Sequence, residues 1–155
     1  METMTDLAIR REVTVAAPPE RAFEVFTRRM HAWWPLETHS IRAGRDGAPP
    51  AELHLEPWAG GRFYEKTGAE EASWGSVLEC EPPHRIVFEW HVNPENPPTE
   101  IEVTFTAGES GTRVELVHSG WERFAPGSET RDNYASEGGW TGVLARYAEA
   151  ANAAA

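Results

Sequence analysis

Cysteine is nearly absent from this chain: of its 155 residues only Cys80 is one. A lone thiol forms neither an internal disulfide nor a thiolate metal cluster, and it points to a reducing, cytoplasmic setting. Lysine is equally scarce, Lys66 being the only one, and all bases together number 14 against 25 acids, a formal net charge of −11. That shortage of positive charge argues against nucleic acid and against anionic lipid, because both are held by basic surface. It leaves neutral or cationic partners. Long apolar runs are missing as well. No stretch approaches the length needed to span a bilayer, and the N-terminal METMTDLAIRREV lacks the apolar run of a signal peptide. No membrane association is expected.

Catalytic signatures are also lacking. There is no G-x-S-x-G, no P-loop and no H-E-x-x-H. His31, His39, His54, His84, His91 and His118 are scattered, with no i, i+4 pair on a helix, so neither a metal site nor a cofactor is expected. Cys80 lies between Glu79 and Glu81, whose charges raise a thiol pKa and dull it as a nucleophile. No catalytic residue is assigned on these grounds.

What the chain does have is a patterned tail and a run of strands. In Ser128 to Asn152, Trp140, Leu144, Tyr147 and Ala151 recur at helical spacing. Ser128 is placed as an N-cap after Pro126-Gly127, and Glu129 in the first turn suits the helix dipole. The spacing predicts one long helix, kinked at Gly138-Gly139, with those glycines facing a sheet. At the other end, Leu7 to Ala16 reads as a strand, and Pro18-Pro19-Glu20 opens a short helix whose buried stripe is Ala22, Phe23, Phe26 and Met30. A second short helix ends at Trp34, before Pro35. Glu37 to Pro50, polar and rich in Gly and Pro, reads as a mobile loop, either a plain connector or a lid.

From Ala51 the period falls to two. Leu53 and Leu55 alternate, and Arg62 to Thr67 returns after the turn at Pro57 to Gly61. In the next strand Trp74, Ser76 and Leu78 share one face against Gly75, Val77 and Glu79. Ile86, Phe88 and Trp90, then Ile101, Val103 and Phe105, then Val114, Leu116 and His118 all point inward. Short turns between consecutive strands imply an antiparallel meander, and its apolar face needs a cover. The expected fold is therefore α+β: one strand, two short helices, then six strands. The curved antiparallel sheet, about seven strands in all, wraps a long C-terminal helix in a single domain over residues 7–152.

Several short motifs occur in a telling order: Pro18-Pro19-Glu20 with Phe23 and Phe26, Trp33-Trp34, Gly60-Gly61-Arg62-Phe63, and Trp74-Gly75-Ser76-Val77. They continue with Glu79 to Pro82, Arg85 with Trp90, Gly111-Thr112-Arg113-Val114 and Gly139-Trp140. Over about Arg11 to Ala150 this resembles the START-like (SRPBCC) helix-grip superfamily, and within it the bacterial homologues of the Hsp90 ATPase activator. The resemblance implies a sheet gripping the last helix with a cavity between them. It implies no particular reaction: such families include ligand binders, stress-response proteins and a eukaryotic co-chaperone domain.

Seven tryptophans stand out in so small a chain. Trp74, Trp90 and Trp140, with Phe63, Phe88 and Phe105, should meet between sheet and helix, either as filled core or as the walls of a small-molecule pocket. The candidate ligand-binding residues are Trp33, Trp34, Leu55, Phe63, Trp74, Phe88, Trp90, Val103, Phe105, His118, Trp140 and Leu144. His118 is either a core histidine bonded to backbone, or a polar handle or general acid/base with Glu24, Glu65 or Glu79 as partner. Three functions stay open. One is a binder of a small hydrophobic or aromatic molecule. Another is a protein-interaction module, co-chaperone-like or homodimeric through a patch of Trp33, Trp34, Trp58 and Trp121. The third is a weak cyclase- or hydrolase-type enzyme.

Overall fold

The computed structural model describes residues 8–48, 50–92, 95–124 and 129–153. Leu7, where the first strand and the domain are expected to begin, and Ser128, the expected helix cap, lie outside the described residues. The elements run β1 (Ile9–Val15), α1 (Pro19–Phe26), α2 (Met30–Trp33), α3 (Ile41–Asp46), β2 (Glu52–Leu55), β3 (Arg62–Thr67) and β4 (Glu70–Glu81). They continue with β5 (Arg85–Trp90), β6 (Thr99–Gly108), β7 (Gly111–Ser119), a 3-10 turn at Trp121–Arg123, α4 (Thr130–Ala135), a π-type turn at Glu137–Thr141 and α5 (Gly142–Ala153).

The seven strands form one curled antiparallel sheet in the order β1-β7-β6-β5-β4-β3-β2. Strands β2 to β7 are a meander, and β1 adds beside β7, with Ile9 opposite His118 and Val15 opposite Thr112. The chain between β1 and β2 must therefore travel from one edge of the sheet to the other, which brings α1 to α3 across the apolar face. Ile86, Phe88, Ile101, Val103, Phe105, Val114 and Leu116 on that face are all buried. Helix α5 lays Val143, Leu144, Tyr147 and Ala151 inward, in the helix-grip arrangement. It shares the cover with α1: Phe26 meets Tyr147 at 5.3 Å, and Phe23 and Phe26 reach Phe105 at 5.3 and 5.9 Å. Polar ties fix α5 to α1 and to α2, Tyr147 Oη donating to the Ala22 carbonyl at 2.8 Å and Arg146 Nε to the Trp33 carbonyl at 2.9 Å.

Three elements differ from the sequence expectation. In β4 the alternation breaks: Trp74 and Val77 are both buried, while Leu78 is 46% exposed. Phe63 faces Gly75 but Tyr64 faces Ser73, which leaves Trp74 as an extra residue. Val77 faces Phe88 but Glu79 faces Val87, which leaves Leu78 extra. Each bulge shifts the phase by one and turns the following side chains over. Gly75, between the two, has φ +147°, and a Cβ there would collide with the Glu89 carbonyl oxygen.

Second, the expected loop at Glu37 to Pro50 contains α3, so three short helices rather than two precede β2. Ser40 caps it, Oγ accepting from Ala43 N at 3.1 Å, and Gly47 ends it in the left-handed region at φ 74°. Six residues do not hold a helix in isolation; a buried carboxylate does so here. Glu65, only 3% exposed, accepts from Ile41 N at 2.7 Å and Arg42 N at 2.9 Å.

Third, the tail is two helices, not one. Gly139 has non-helical φ −92° and ψ −129° between α4 and α5. A Cβ on it would collide with the carbonyl oxygens of Asn133 and Tyr134, so this glycine faces the end of α4 and not the sheet. Arg11 of β1 clamps the break, Nη2 donating to the Ala135 carbonyl at 2.8 Å and Nε to Thr141 Oγ1 at 3.2 Å.

Candidate functional site

The break in the tail, the bulge in β4 and the segment before α3 converge on one place. Trp34 leaves α2 in an extended conformation before Pro35, and its ring reaches Trp74 and Trp90 of the sheet while staying against Trp33 at 5.9 Å. Trp74 enters from the β4 bulge, Trp90 from the end of β5 and Trp140 from the π-type turn. Trp34 lies 5.5 Å from Trp74, 5.8 Å from Trp90 and 5.8 Å from Trp140, ring centre to ring centre. The four indoles pack edge-to-face and tilted into one cluster, and above it opens a crevice of about 440 Å3. Val92, Val143 and Tyr134 add apolar wall; Thr38, Asn133 and Ser136 stand exposed at its rim, beside half-buried His39 and Ser40. Among the described residues no Arg, Lys, Asp or Glu lines it.

Every indole N–H of the floor is already spent inside the protein. Trp34 Nε1 donates to the His39 carbonyl at 2.7 Å, and Trp74 Nε1 to Glu65 Oε1 at 2.7 Å. Trp90 Nε1 donates to Tyr134 Oη at 2.9 Å, and Trp140 Nε1 to His118 Nδ1 at 2.9 Å. The floor thus presents carbon to the crevice. Each acceptor sits on a different element, so the rings are fixed by the fold and not only by mutual contact.

His118 lies in a layer behind that floor. It is fully buried and does not line the crevice. Because Nδ1 accepts from Trp140, the proton of the neutral ring is on Nε2, which donates to Thr99 Oγ1 at 2.7 Å; Thr99 Oγ1 in turn donates to the Trp90 carbonyl at 3.2 Å. Burial holds its pKa down at about 3. Both ring nitrogens are used, so the expectation of a polar handle or general acid/base is corrected: His118 braces Trp140 and Trp90. None of its hydrogen bonds goes to Glu24, Glu65 or Glu79.

Of the other candidates, Trp34, Trp74, Trp90 and Trp140 meet at the crevice. Trp33, Leu55, Phe63, Phe88, Val103, Phe105 and Leu144 do not line it. They are core, each 3% exposed or less. Trp33 turns toward α5, meeting Tyr147 at 5.2 Å, with its N–H on the Val25 carbonyl. The expected surface patch of Trp33, Trp34, Trp58 and Trp121 does not form: only Trp58 is exposed, at 50%, because Trp33 and Trp34 pack together in the interior and Trp121 packs on His118 at 4.4 Å.

Sequence reasoning missed Tyr134 and considered Glu65 only as a partner for His118. Glu65 carries Trp74 and α3 together, and the signal for it existed: it is in phase with Phe63, so an inward Phe63 implies an inward Glu65. Tyr134 had no such signal, since α4 carries no apolar stripe and buries no residue fully. Burial raises the Tyr134 pKa, offset in part by the hydrogen bond from Trp90. Among the described residues no group of three or more His, Cys, Asp or Glu side chains could hold a metal ion, and no helix is long and apolar enough to cross a membrane.

Comparison with known proteins adds the following. A family described as activator of Hsp90 ATPase homolog 1-like protein matches residues 16–152. No curated protein matches the sequence. Among solved structures, a self-sacrificing resistance protein, CalC from Micromonospora echinospora, is 24% identical, with 96% of each chain covered and a TM-score of 0.71. The Aha1 dimer from Colwellia psychrerythraea is 14% identical, covering 94% of this chain and 96% of that one, with a TM-score of 0.65. A protein from Rhodobacter sphaeroides is 19% identical, covering 97% and 92%, with a TM-score of 0.66. At these identities the structural likeness shows the fold alone.

Proposed function

We propose, from the premise that this chain belongs to the activator of Hsp90 ATPase homolog 1-like family, that it binds a small hydrophobic or aromatic molecule. Binding takes place in the crevice between sheet and tail helices, within one domain over residues 7–152. The observation that carries this reading is the floor of four indoles whose N–H groups are all bonded inward. A volume of about 440 Å3 falls within the roughly 300–1,000 Å3 of small-molecule sites. The mostly apolar lining with a few polar groups at the rim is what such sites have. Trp34, Trp74, Trp90 and Trp140 are the proposed contact residues. Trp33, Leu55, Phe63, Phe88, Val103, Phe105, His118 and Leu144 support them from the core. The half-buried free thiol of Cys80 suits a cytoplasmic setting.

The test is a panel of two-ring aromatics followed by thermal shift and intrinsic tryptophan emission. A ligand at a hundred times its Kd stabilises by about 2.7 kcal/mol, which raises Tm by roughly 5–10 °C in a chain of this length. Absence of any shift and of any emission change across the panel refutes the reading.

A second reading is self-association. It is supported by exposed Trp58 and Leu78 and by the fold shared with a protein described as a dimer. Sedimentation equilibrium decides it: a monomer at the highest soluble concentration removes it.

A further inference from the structure

We infer that the Tyr134 hydroxyl is the polar recognition group of the crevice, and that the ligand is a neutral, flat aromatic molecule carrying a hydrogen-bond acceptor such as an aryl ketone oxygen. This rests on the binding reading above and narrows it to a chemical class. With the four floor N–H groups engaged, none can donate to a ligand without abandoning a protein acceptor. Tyr134 Oη is different. It accepts from Trp90 Nε1 at 2.9 Å, and its own proton has no acceptor among the described residues. The phenol is a half-buried crevice wall, so a ligand seated over it without an acceptor strands that proton and a ligand acceptor satisfies it. Accepting from Trp90 also polarises the O–H and makes it the better donor. The ring is held for this task. Tyr134 stacks near-parallel on Trp140 at 6.4 Å and crosses Trp90 at 90°. Arg11 fixes the carbonyl of the next residue, Ala135.

Charge and shape exclude the other classes. Among the described residues no Arg or Lys lines the crevice and the chain carries a formal −11, so a carboxylate ligand meets no counterion among them. An ammonium held between two ring faces needs them about 7–8 Å apart, twice a carbon contact distance. The floor rings instead stand 5.5–5.8 Å apart and close on each other, which leaves no gap between ring faces for an ammonium.

The experiment is titration calorimetry of the full chain with 2-acetylnaphthalene and with 2-ethylnaphthalene, which has nearly the same shape and no acceptor. The anionic acceptor 2-naphthoate and a naphthyl trimethylammonium complete the set. The expected result is that the ketone binds about 5-fold tighter than the hydrocarbon, the ratio of one net hydrogen bond, and tighter than either ion. In Tyr134→Phe, combined with Trp90→Phe so that the freed indole N–H cannot substitute, the ketone-to-hydrocarbon ratio falls to about 1. The wild-type comparison stands whether or not that variant folds. Equal binding of ketone and hydrocarbon overturns the inference and leaves the binding reading standing, as does tighter binding of either ion. A ratio that survives in the folded double variant assigns the donor elsewhere and also overturns it. No binding of any of the four overturns this inference, and silence from the wider aromatic panel overturns the underlying reading with it.

Discussion

His118 offers the most quantitative check on the packing behind the crevice. It is neutral and fully buried, its Nδ1 accepts from Trp140 Nε1, and its pKa is held down to about 3 by burial. In the unfolded chain the same ring titrates near the ordinary histidine value, about 6.5. Above that pH neither state binds the proton and His118 contributes no pH dependence. Below it, the unfolded state takes up a proton that the folded state refuses, so stability falls as pH drops from about 6.5 to about 3 and then levels. At pH 4.5 the gap below the unfolded value is two units. At about 1.36 kcal/mol per unit, the folded protein is about 2.7 kcal/mol less stable than at pH 7 from this group alone. The figure depends on the unfolded value, because pH 4.5 still lies above the folded one. Carboxylates also titrate in this range, so the measurement is a difference of differences. Urea unfolding at pH 7.0 and 4.5 is compared between wild type and His118→Gln, whose amide can donate to Thr99 but does not titrate. With an m-value of roughly 2 kcal/mol/M, the wild-type midpoint should fall about 1.4 M further than that of the variant. Equal losses in the two proteins would mean that folded His118 accepts a proton readily, and that it is neither sealed nor a brace for Trp140.

Two further outcomes test the scaffold of the crevice. Glu65→Gln keeps one oxygen but sets an amide N–H against a backbone donor of α3, removing at least one charge-assisted bond worth about 1.5–3 kcal/mol. Tm should drop by roughly 3–12 °C, and amide exchange should accelerate most at Ile41 and Arg42; an unchanged exchange pattern there contradicts the latch. Gly139→Ala places a methyl against the Asn133 and Tyr134 carbonyls and should cost about 1–3 kcal/mol, the range for forcing extra volume into a packed site. Calorimetric unfolding measures it, and a neutral or stabilising result would mean that α4 does not close on α5 as described.

How much of this was legible depends on whether a signal is local. Ile101, Val103 and Phe105 alternate cleanly because β6 is paired on both sides without a bulge, and burial follows the pattern residue by residue. β4 failed the same test because two extra residues, Trp74 and Leu78, are accommodated by bulges, which no periodicity announces. Helix α3 has no apolar stripe, and its only marks are Ser40 before and Gly47 after. Read as cap and stop, they would have found it. Trp33-Trp34 was open to two readings, pocket wall or surface patch. The chain ends α2 between them and buries both, ring against ring, with their indole N–H groups on different carbonyls, those of Val25 and His39. The partnership of Trp140 with His118 spans 22 residues, from β7 to the π-type turn, so only the folded chain displays it.

The tertiary bonds that escaped the sequence are the ones that explain why the crevice stays open. Large aromatic side chains beside empty space tend to fall into it, since closing a void recovers dispersion contacts and removes apolar surface from water. Here collapse would require an indole to swing off its acceptor. Trp34 would leave the His39 carbonyl, Trp74 would leave Glu65, Trp90 would leave Tyr134, and Trp140 would leave His118. A donor stranded in the interior costs about 1–3 kcal/mol, comparable with the gain from burying one large side chain more completely. Four such tethers, anchored on the α2–α3 segment, β3, α4 and β7, hold the edge-to-face cluster in place with an apolar surface above it. A site made this way is organised before its ligand arrives, so little ordering cost is left to be met on binding. That is the physical difference between a core rich in tryptophan and a binding platform built from it.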